Sequence, residues 1–351
     1  MAKTCHLWRD IVHKVLKSSK FLKWILDPQI DRQFYEEFAA EIVYCMKRSN
    51  PRGLTLEVIG NMRSTFSNYL SQQLVSKIDK ECTNLEVFSI KSILFAKNTI
   101  PLLKKMKNLK ILKMMSIYLG GESDFLLVET IFKTCKKLVY LDLRNSLCYY
   151  EFEVTFPESL EYINLSNSLF CRQKAFENAL RYCPNLKVLI IPDLDIDYAS
   201  VGETINIEGE KKLEILDLSC NDMSGPKKHH FVDFRHLPNL KSLRIKGSCL
   251  QHGLLNIGKT SLTHLDISDC FFQQNLDDNT FLRELKDLHI NHLVCNNYDF
   301  SVAGGVIFQL AQFKYLQKLE LCEWRNLKPK TVKLFFISLS RNILKSCTVS
   351  R

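Results

Sequence analysis

The feature that most constrains this chain is a recurrence. Ten times between Leu85 and Leu321 the sequence repeats leucine-x-x-apolar-x-apolar. The units are LEVFSI from Leu85, LKILKM from Leu109, LVYLDL from Leu138, LEYINL from Leu160, LKVLII from Leu186, LEILDL from Leu213, LKSLRI from Leu240, LTHLDI from Leu262, LKDLHI from Leu285 and LQKLEL from Leu316. Successive first leucines are 24, 29, 22, 26, 27, 27, 22, 23 and 31 residues apart. Within a unit the second and third apolar positions are two residues apart, the side-chain period of a strand, so both point to one face and their neighbours to the other. Such a strand has one apolar face that it cannot cover alone, and a series of them buries that face by stacking.

The pattern and its spacing resemble leucine-rich repeats, whose period is roughly 20–29 residues. The resemblance implies an α/β fold, a leucine-rich-repeat solenoid (horseshoe) with a parallel sheet on the concave side. Glu122 to Lys137 and Arg172 to Cys183 carry apolar residues three and four apart, which predicts amphipathic helices on the return path. The expected organisation is one elongated array over residues 49–351, with ten recognisable units and a C-terminal cap, preceded by a short helical segment over residues 1–48. In that segment Trp8, Ile11, Val12, Val15 and Leu16, then Phe34, Phe38, Ile42 and Val43, recur at helical spacing. Pro28 and Asn50-Pro51 mark breaks.

The 13 cysteines are an odd number with no C-x-x-C pair, which argues against a disulfide framework and against a zinc ribbon. Their register explains them better. Cys82, Cys135 and Cys183 each precede a first leucine by three residues, and Cys270 falls eight residues after Leu262, where Asn221 stands after Leu213. Leucine-rich repeats use Asn or Cys at that eighth position to hydrogen-bond the turning backbone. These read as buried structural thiols in a reducing, cytoplasmic or nuclear compartment. The first residues form no uninterrupted apolar run, and no later stretch approaches the roughly 18 apolar residues of a membrane span. The formal charge of +10 points to a partner with acidic surface. Lys97, Lys104, Lys105, Lys107, Lys110 and Lys113 concentrate part of it, but no aromatic interleaving makes them a nucleic-acid site, and a solvated face is the better reading.

Thr4-Cys5-His6-Leu7-Trp8-Arg9-Asp10-Ile11-Val12 is similar to the C-terminal helix of an F-box, and Trp24 to a tryptophan that often follows it. An F-box before cysteine-bearing repeats resembles the F-box/leucine-rich-repeat family. That resemblance implies a Skp-type adaptor of a cullin ubiquitin ligase held by Cys5, Leu7, Trp8, Ile11 and Val12, and a protein substrate held by the repeats for ubiquitin transfer. The segment resembling L-P-x-E that opens an F-box has no counterpart here, so the adaptor site is either truncated or lost. The alternative is a repeat adaptor or inhibitor with no ubiquitin link.

The outward positions of each strand are the residue before the second apolar site, the one between the sites and the one after. Tyr140, Tyr162, Val188, Ile190, Pro192 and Ile215 then form an apolar and aromatic patch over four adjacent units with Arg144 at its edge, a composition typical of interface cores. An equal reading has the insert from Asp193 to Gly209 folding back over it. Arg244, Lys246 and His264 beside Asp217 and Asp266 read as a mixed, wet face, whose Arg244 and Lys246 join the candidate partner-binding set. No cofactor and no enzymatic chemistry is expected. His289-x-x-His292-x-x-Cys295 runs out of a strand, where residues three apart face opposite ways. Asp193, Asp195 and Asp197 open like a calcium loop, but Tyr198 and Thr204 stand where glycine and glutamate are needed. There is no phosphate loop and no G-x-S-x-G elbow.

Overall fold

The computed structural model describes residues 20–26, 40, 44–47, 49–58, 84–91, 105–116, 118–119, 129–148, 155–168, 172–192, 211–219, 233–247, 257–270, 285, 288–296, 312–323, 325, 330, 333 and 345–350. The fold is α/β, with thirteen strands paired in parallel, as a stacked repeat requires, and few helices among the described residues. The chain divides into two compact units, Met1–Cys171 and Arg172–Arg351.

The first unit contains β1 (Phe21–Leu26), β2 (Gly53–Val58), β3 (Val87–Lys91), β4 (Ile111–Met115), β5 (Tyr118–Leu119), β6 (Tyr140–Asp142), β7 (Leu147–Cys148) and β8 (Tyr162–Asn164). Its main sheet runs β1-β2-β3-β4-β6-β8, parallel throughout, and β5 pairs with β7 in a small second sheet. The second unit opens with helix α1 (Arg172–Tyr182) and continues with β9 (Val188–Ile190), β10 (Ile215–Asp217), β11 (Ser242–Arg244), β12 (His264–Asp266), β13 (His292–Val294), β14 (Lys318–Cys322) and β15 (Ser346–Ser350), paired in chain order.

Each recurring position has a physical task. The first apolar residue of every unit from Leu85 to Leu316 is no more than 2% exposed, and the second and third close the core beneath the strands. The residue after the first apolar position lends its carbonyl to two amides of the next strand. Arg52 accepts from Glu86 and Val87 at 2.7 and 3.0 Å, and Lys110 from Val139 and Tyr140 at 2.8 and 3.0 Å. The same pair of bonds runs from Lys187 to Glu214 and Ile215, and from Gln317 to Lys345 and Ser346.

Two further positions end each strand. The seventh residue after the first apolar one is left-handed: Ser116, Asn145, Asn167, Asp269 and Glu323 have φ between 54 and 59°, and Gly247 has φ 74°. Asn, Asp and Gly tolerate that region best. The eighth residue reaches back to the preceding unit. Cys270 Sγ donates to the Ile245 carbonyl at 3.0 Å, as the sequence register predicts, and Ser146 and Ser168 do the same to Met114 and Leu143 at 2.8 and 2.6 Å. Cys135 and Cys183 are buried in the turns that deliver the chain to Leu138 and Leu186, whose amides donate back to their carbonyls at 3.0 and 3.1 Å. Burial pushes the Cys135 thiol up to about 11. Cys82 and Asn221 lie outside the described residues.

Three expectations are corrected. Residues 21–26, read as part of a helical segment, form a strand: FLKWIL pairs with GLTLEV through six residues across the expected boundary at residue 48. In the ninth recurrence the strand falls five residues later than LKDLHI implied. Leu265 pairs with Leu293, so the inward positions are Ile290, Leu293 and Cys295, all fully buried. With Ile290 as the first position the flanking spacings become 28 and 26 residues rather than 23 and 31. Finally, the ten recognised units are joined by β1, β2 and β15, which pair in the same register.

The return paths are mixed. Helix α1 matches the predicted Arg172 to Cys183 segment, and residues 129–134 are helical within Glu122 to Lys137. Two short 3-10 turns are also described: Phe234–His236, capped by the Asp233 carboxylate on the Arg235 amide at 2.9 Å, and Ile257–Lys259. Residues 44–47 and 49 are helical and stop at Asn50, φ 43°, immediately before Pro51, where the sequence predicted a break.

The left-handed position generates a stability test. Glu323→Gly is expected to raise unfolding free energy by about 1 kcal/mol and Gly247→Val to lower it by about 1–2 kcal/mol in urea titrations, since an L side chain is strained there. Equal stability of all three proteins would refute the left-handed turn as a shared device.

Candidate functional site

In the first unit the outward positions form three rows across the strands. The row before the second apolar site contains Phe21, Gly53, Val87, Ile111, Tyr140 and Tyr162, brought side by side by the strand register. None is charged. Gly53 is small because Phe21 lies over it: a Cβ there would run into the Phe21 ring and stand 3.3 Å from Val87 Cβ. Phe21 is 66% exposed and Ile25, two rows on, 52%.

Tyr140 and Tyr162 stack with ring centroids 4.0 Å apart and planes 6° from parallel. Lys113 Nζ sits 5.1 Å from the Tyr140 ring centroid, a cation over the aromatic face. The Tyr140 hydroxyl is held well above its ordinary value by burial first, then by its hydrogen bond with Tyr162 and the charge of Asp142. It is a neutral donor and acceptor at any physiological pH.

Asp142 occupies the middle row and is 0% exposed. Its carboxylate accepts the Arg144 amide at 3.2 Å, Arg144 Nε at 3.0 and 3.1 Å, and a terminal guanidinium nitrogen at 2.9 Å. The pair holds the guanidinium charged and raises the Arg144 pKa. Arg144 also reaches the Met115 sulfur at 3.5 Å, which fixes its head over the strand ends. Asn164, one strand on, bonds in the same way to the Ser166 amide and hydroxyl at 3.0 and 2.6 Å. An Asp or Asn between the two apolar sites therefore ties down the strand end locally. Asp217 and Asp266 do so for Ser219 and Ser268, both at 3.0 Å.

In the second unit Val188, Ile190 and Ile215 adjoin through the pairing of β9 with β10, and Ile215 is 41% exposed. Pro192, expected on the outward face, is buried. Arg244 lies between Asp217 and Asp266 at 3.6 and 3.8 Å, and Lys246 pairs with Asp269 at 3.3 Å. Next to them His264 and His292 meet edge to face at 5.4 Å. His292 Nε2 lies 3.0 Å from Glu320, which Lys318 also contacts at 2.6 Å. Glu320 is held below the usual carboxylate range chiefly by Lys318, with His292 adding to it.

The expected patch thus resolves into Tyr140, Tyr162 and Arg144 on the first unit, and Val188, Ile190 and Ile215, with Arg244 and Lys246, on the second. The insert Asp193 to Gly209, with its three aspartates, and the adaptor candidates Cys5, Leu7, Trp8, Ile11 and Val12 lie outside the described residues. His289, His292 and Cys295 do not converge: His289 stacks on Tyr315 at 4.1 Å, His292 faces Glu320 and Cys295 is wholly buried. Among the described residues no group of three His, Cys, Asp or Glu is placed to hold a metal ion. The sequence reading passed over Phe21 and Ile25 because it treated their segment as helical. It placed Lys113 on the outward face between Ile111 and Met115, and what it did not supply was the contact of that lysine with the Tyr140 ring.

No family model matches the chain, and no curated protein matches it.

The buried carboxylate gives a prediction. Arg144→Met is expected to cost about 2 kcal/mol, because it strands a buried charge, whereas adding Asp142→Asn recovers most of that, since Asn164 serves the same role one strand away. A double variant no more stable in urea than the single one would refute the account.

His264 gives another. Partial burial, then the charges of His292 and Lys318, hold its pKa below the ordinary value. The unfolded chain therefore takes up the proton first as pH falls, so this contribution to stability is complete above about pH 6.5 and is lost as pH falls from there through the lower folded value. The urea midpoint is expected to drop between pH 8 and pH 5.5 by less in His264→Gln than in the parent. An identical drop would contradict it.

Proposed function

We propose that this chain is a nonenzymatic leucine-rich-repeat scaffold that holds a protein substrate on the open face of its strands. We further propose that it serves as the substrate-recognition subunit of a Skp-cullin-F-box type ubiquitin ligase in the cytoplasm or nucleus. The observation that carries the scaffold reading is the uncharged outward row of the first unit, with Phe21 exposed and Tyr140 stacked on Tyr162. An exposed Phe21 and two half-buried tyrosines in one row, flanked by Arg and Lys, have the composition of an interface core. The mechanism is proximity: the repeats hold the target and the adaptor-bound ligase performs the chemistry at raised effective concentration. Among the described residues no helix is long and apolar enough to cross a membrane.

The ubiquitin link rests on the resemblance of Thr4 to Val12 to the end of an F-box. One observation favours a second reading, a repeat adaptor or inhibitor with no ubiquitin link: β1 carries the repeat register upstream to Lys20, so residues 20–26 belong to the sheet rather than to a separate helical module.

The test is co-purification with a Skp-type adaptor, comparing the full chain with a Leu7→Asp/Trp8→Asp variant. Deleting residues 1–48 is the wrong comparison, because it removes β1 from the sheet. Adaptor retained by the parent and lost from the variant, with unchanged melting temperature, is the expected outcome. A folded parent that retains no adaptor would leave the second reading in its place.

A further inference from the structure

We infer that the open face of the first unit receives an extended peptide segment that alternates acidic and apolar side chains. The inference deepens the scaffold reading and rests on it.

Charge separates the two units. On the second, Arg244, Lys246 and Lys318 each face a carboxylate. On the first, the outward rows carry Lys23, Lys91, Lys113 and Arg144 against only Glu57 and Asp142. Glu57 is shared by Lys23 and Lys91 at 3.5 and 2.7 Å. Asp142 is wholly buried and consumed by Arg144. Lys113, beside Asp142 in the strand register, makes no ion pair among the described residues and rests on the Tyr140 ring. The face therefore carries net positive charge that its own side chains do not neutralise.

That charge lies beside the apolar row rather than within it. Ile111, Tyr140 and Tyr162 stand in the first row, Lys113 in the second, Lys91 and Arg144 in the third. Rows two residues apart on a strand are separated by roughly 6.6 Å and neighbouring strands by about 4.8 Å. An extended chain laid across the strands turns alternate side chains to opposite sides. One set then meets the apolar row and the other the lysines and arginine. Carboxylates on the second set supply the missing negative charge, while leucine or tyrosine on the first covers Ile111 and the tyrosine pair. A single-stranded nucleic acid would stack bases on the tyrosine pair but leave the aliphatic Val87 and Ile111 of the same row wet.

The experiment measures binding to the full chain by fluorescence anisotropy. The probes are a labelled peptide alternating Glu or Asp with Leu or Tyr, the same peptide with Gln and Asn for its acids, and oligouridylate. Expected are binding of the acidic peptide that weakens with added salt, at least tenfold loss with the amide peptide, and at least tenfold loss in Lys113→Glu and in Tyr140→Ala. Lys136→Glu, an exposed turn residue with the same charge change, should leave affinity unchanged. Circular dichroism melts establish that the variants are folded. Equal binding of the amide peptide, tighter binding of oligouridylate, no binding of the acidic peptide, or full affinity in folded Lys113→Glu would each overturn the inference. Its failure is separable from that of the proposed function: adaptor retention without peptide binding removes only this inference, whereas peptide binding without adaptor retention removes only the ubiquitin link.

Discussion

One backbone carbonyl per repeat sets everything else in register. The oxygen of Lys20, Arg52, Glu86, Lys110 or Val139 takes two amides from the strand that follows, and Lys187, Glu214, Lys241, Thr263, Asn291 and Gln317 do the same in the second unit. Because a strand alternates its side chains, a slip of one residue at that carbonyl would exchange the buried leucines for the outward row. From Leu85 to Leu316 the apolar residue just before it is no more than 2% exposed and resists such a slip, since moving it out would expose a whole side chain worth roughly 1.5–3 kcal/mol. The rows that compose the candidate site are a consequence of this register and need no other device to align them.

Within that frame the site depends on how its strand ends are held. The Asp142 carboxylate is costly to bury alone, and it is tolerated because it satisfies an amide and the Arg144 fork at once. The same side chain aims Arg144 along the third row. Tyr140 is held for a related reason: its ring has Lys113 against it and stacks on Tyr162. A surface ordered before its partner arrives loses less entropy on binding.

Much of this was legible in the sequence wherever leucine, or a close substitute, filled the first position. The outward identities of Tyr140, Tyr162, Val188, Ile190 and Ile215 followed from counting by two, and Cys270 from counting to eight. The failures share a cause. Three residues before Leu22 and Leu54 the sequence has Ser19 and Pro51 rather than leucine, so nothing announces β1 and β2, and FLKWIL has apolar residues on both faces. In the ninth recurrence Leu285 and Leu288 are both buried, yet in the approach to the strand rather than in it, and the local string LKDLHI imitates the repeat. Only pairing with Leu265 distinguishes Leu293 from Leu288. Sequence spacing carried a trace of this, since 23 followed by 31 residues is the signature of one misplaced mark between two correct ones.

The two units use the same register for different ends. Where the outward rows alternate Asp217, Arg244 and Asp266, adjacent strands neutralise one another, and the face has little remaining demand for charge. Ladders of that kind are exposed and screened, so they add little stability. In the first unit the middle row passes from Lys113 to a carboxylate already engaged, and the row beside it carries no charge at all. Stability does not call for that arrangement: an exposed Phe21 and a lysine held over an aromatic ring leave apolar surface in water and a cation uncompensated. A partner that is apolar on one side and acidic on the other removes both deficits together.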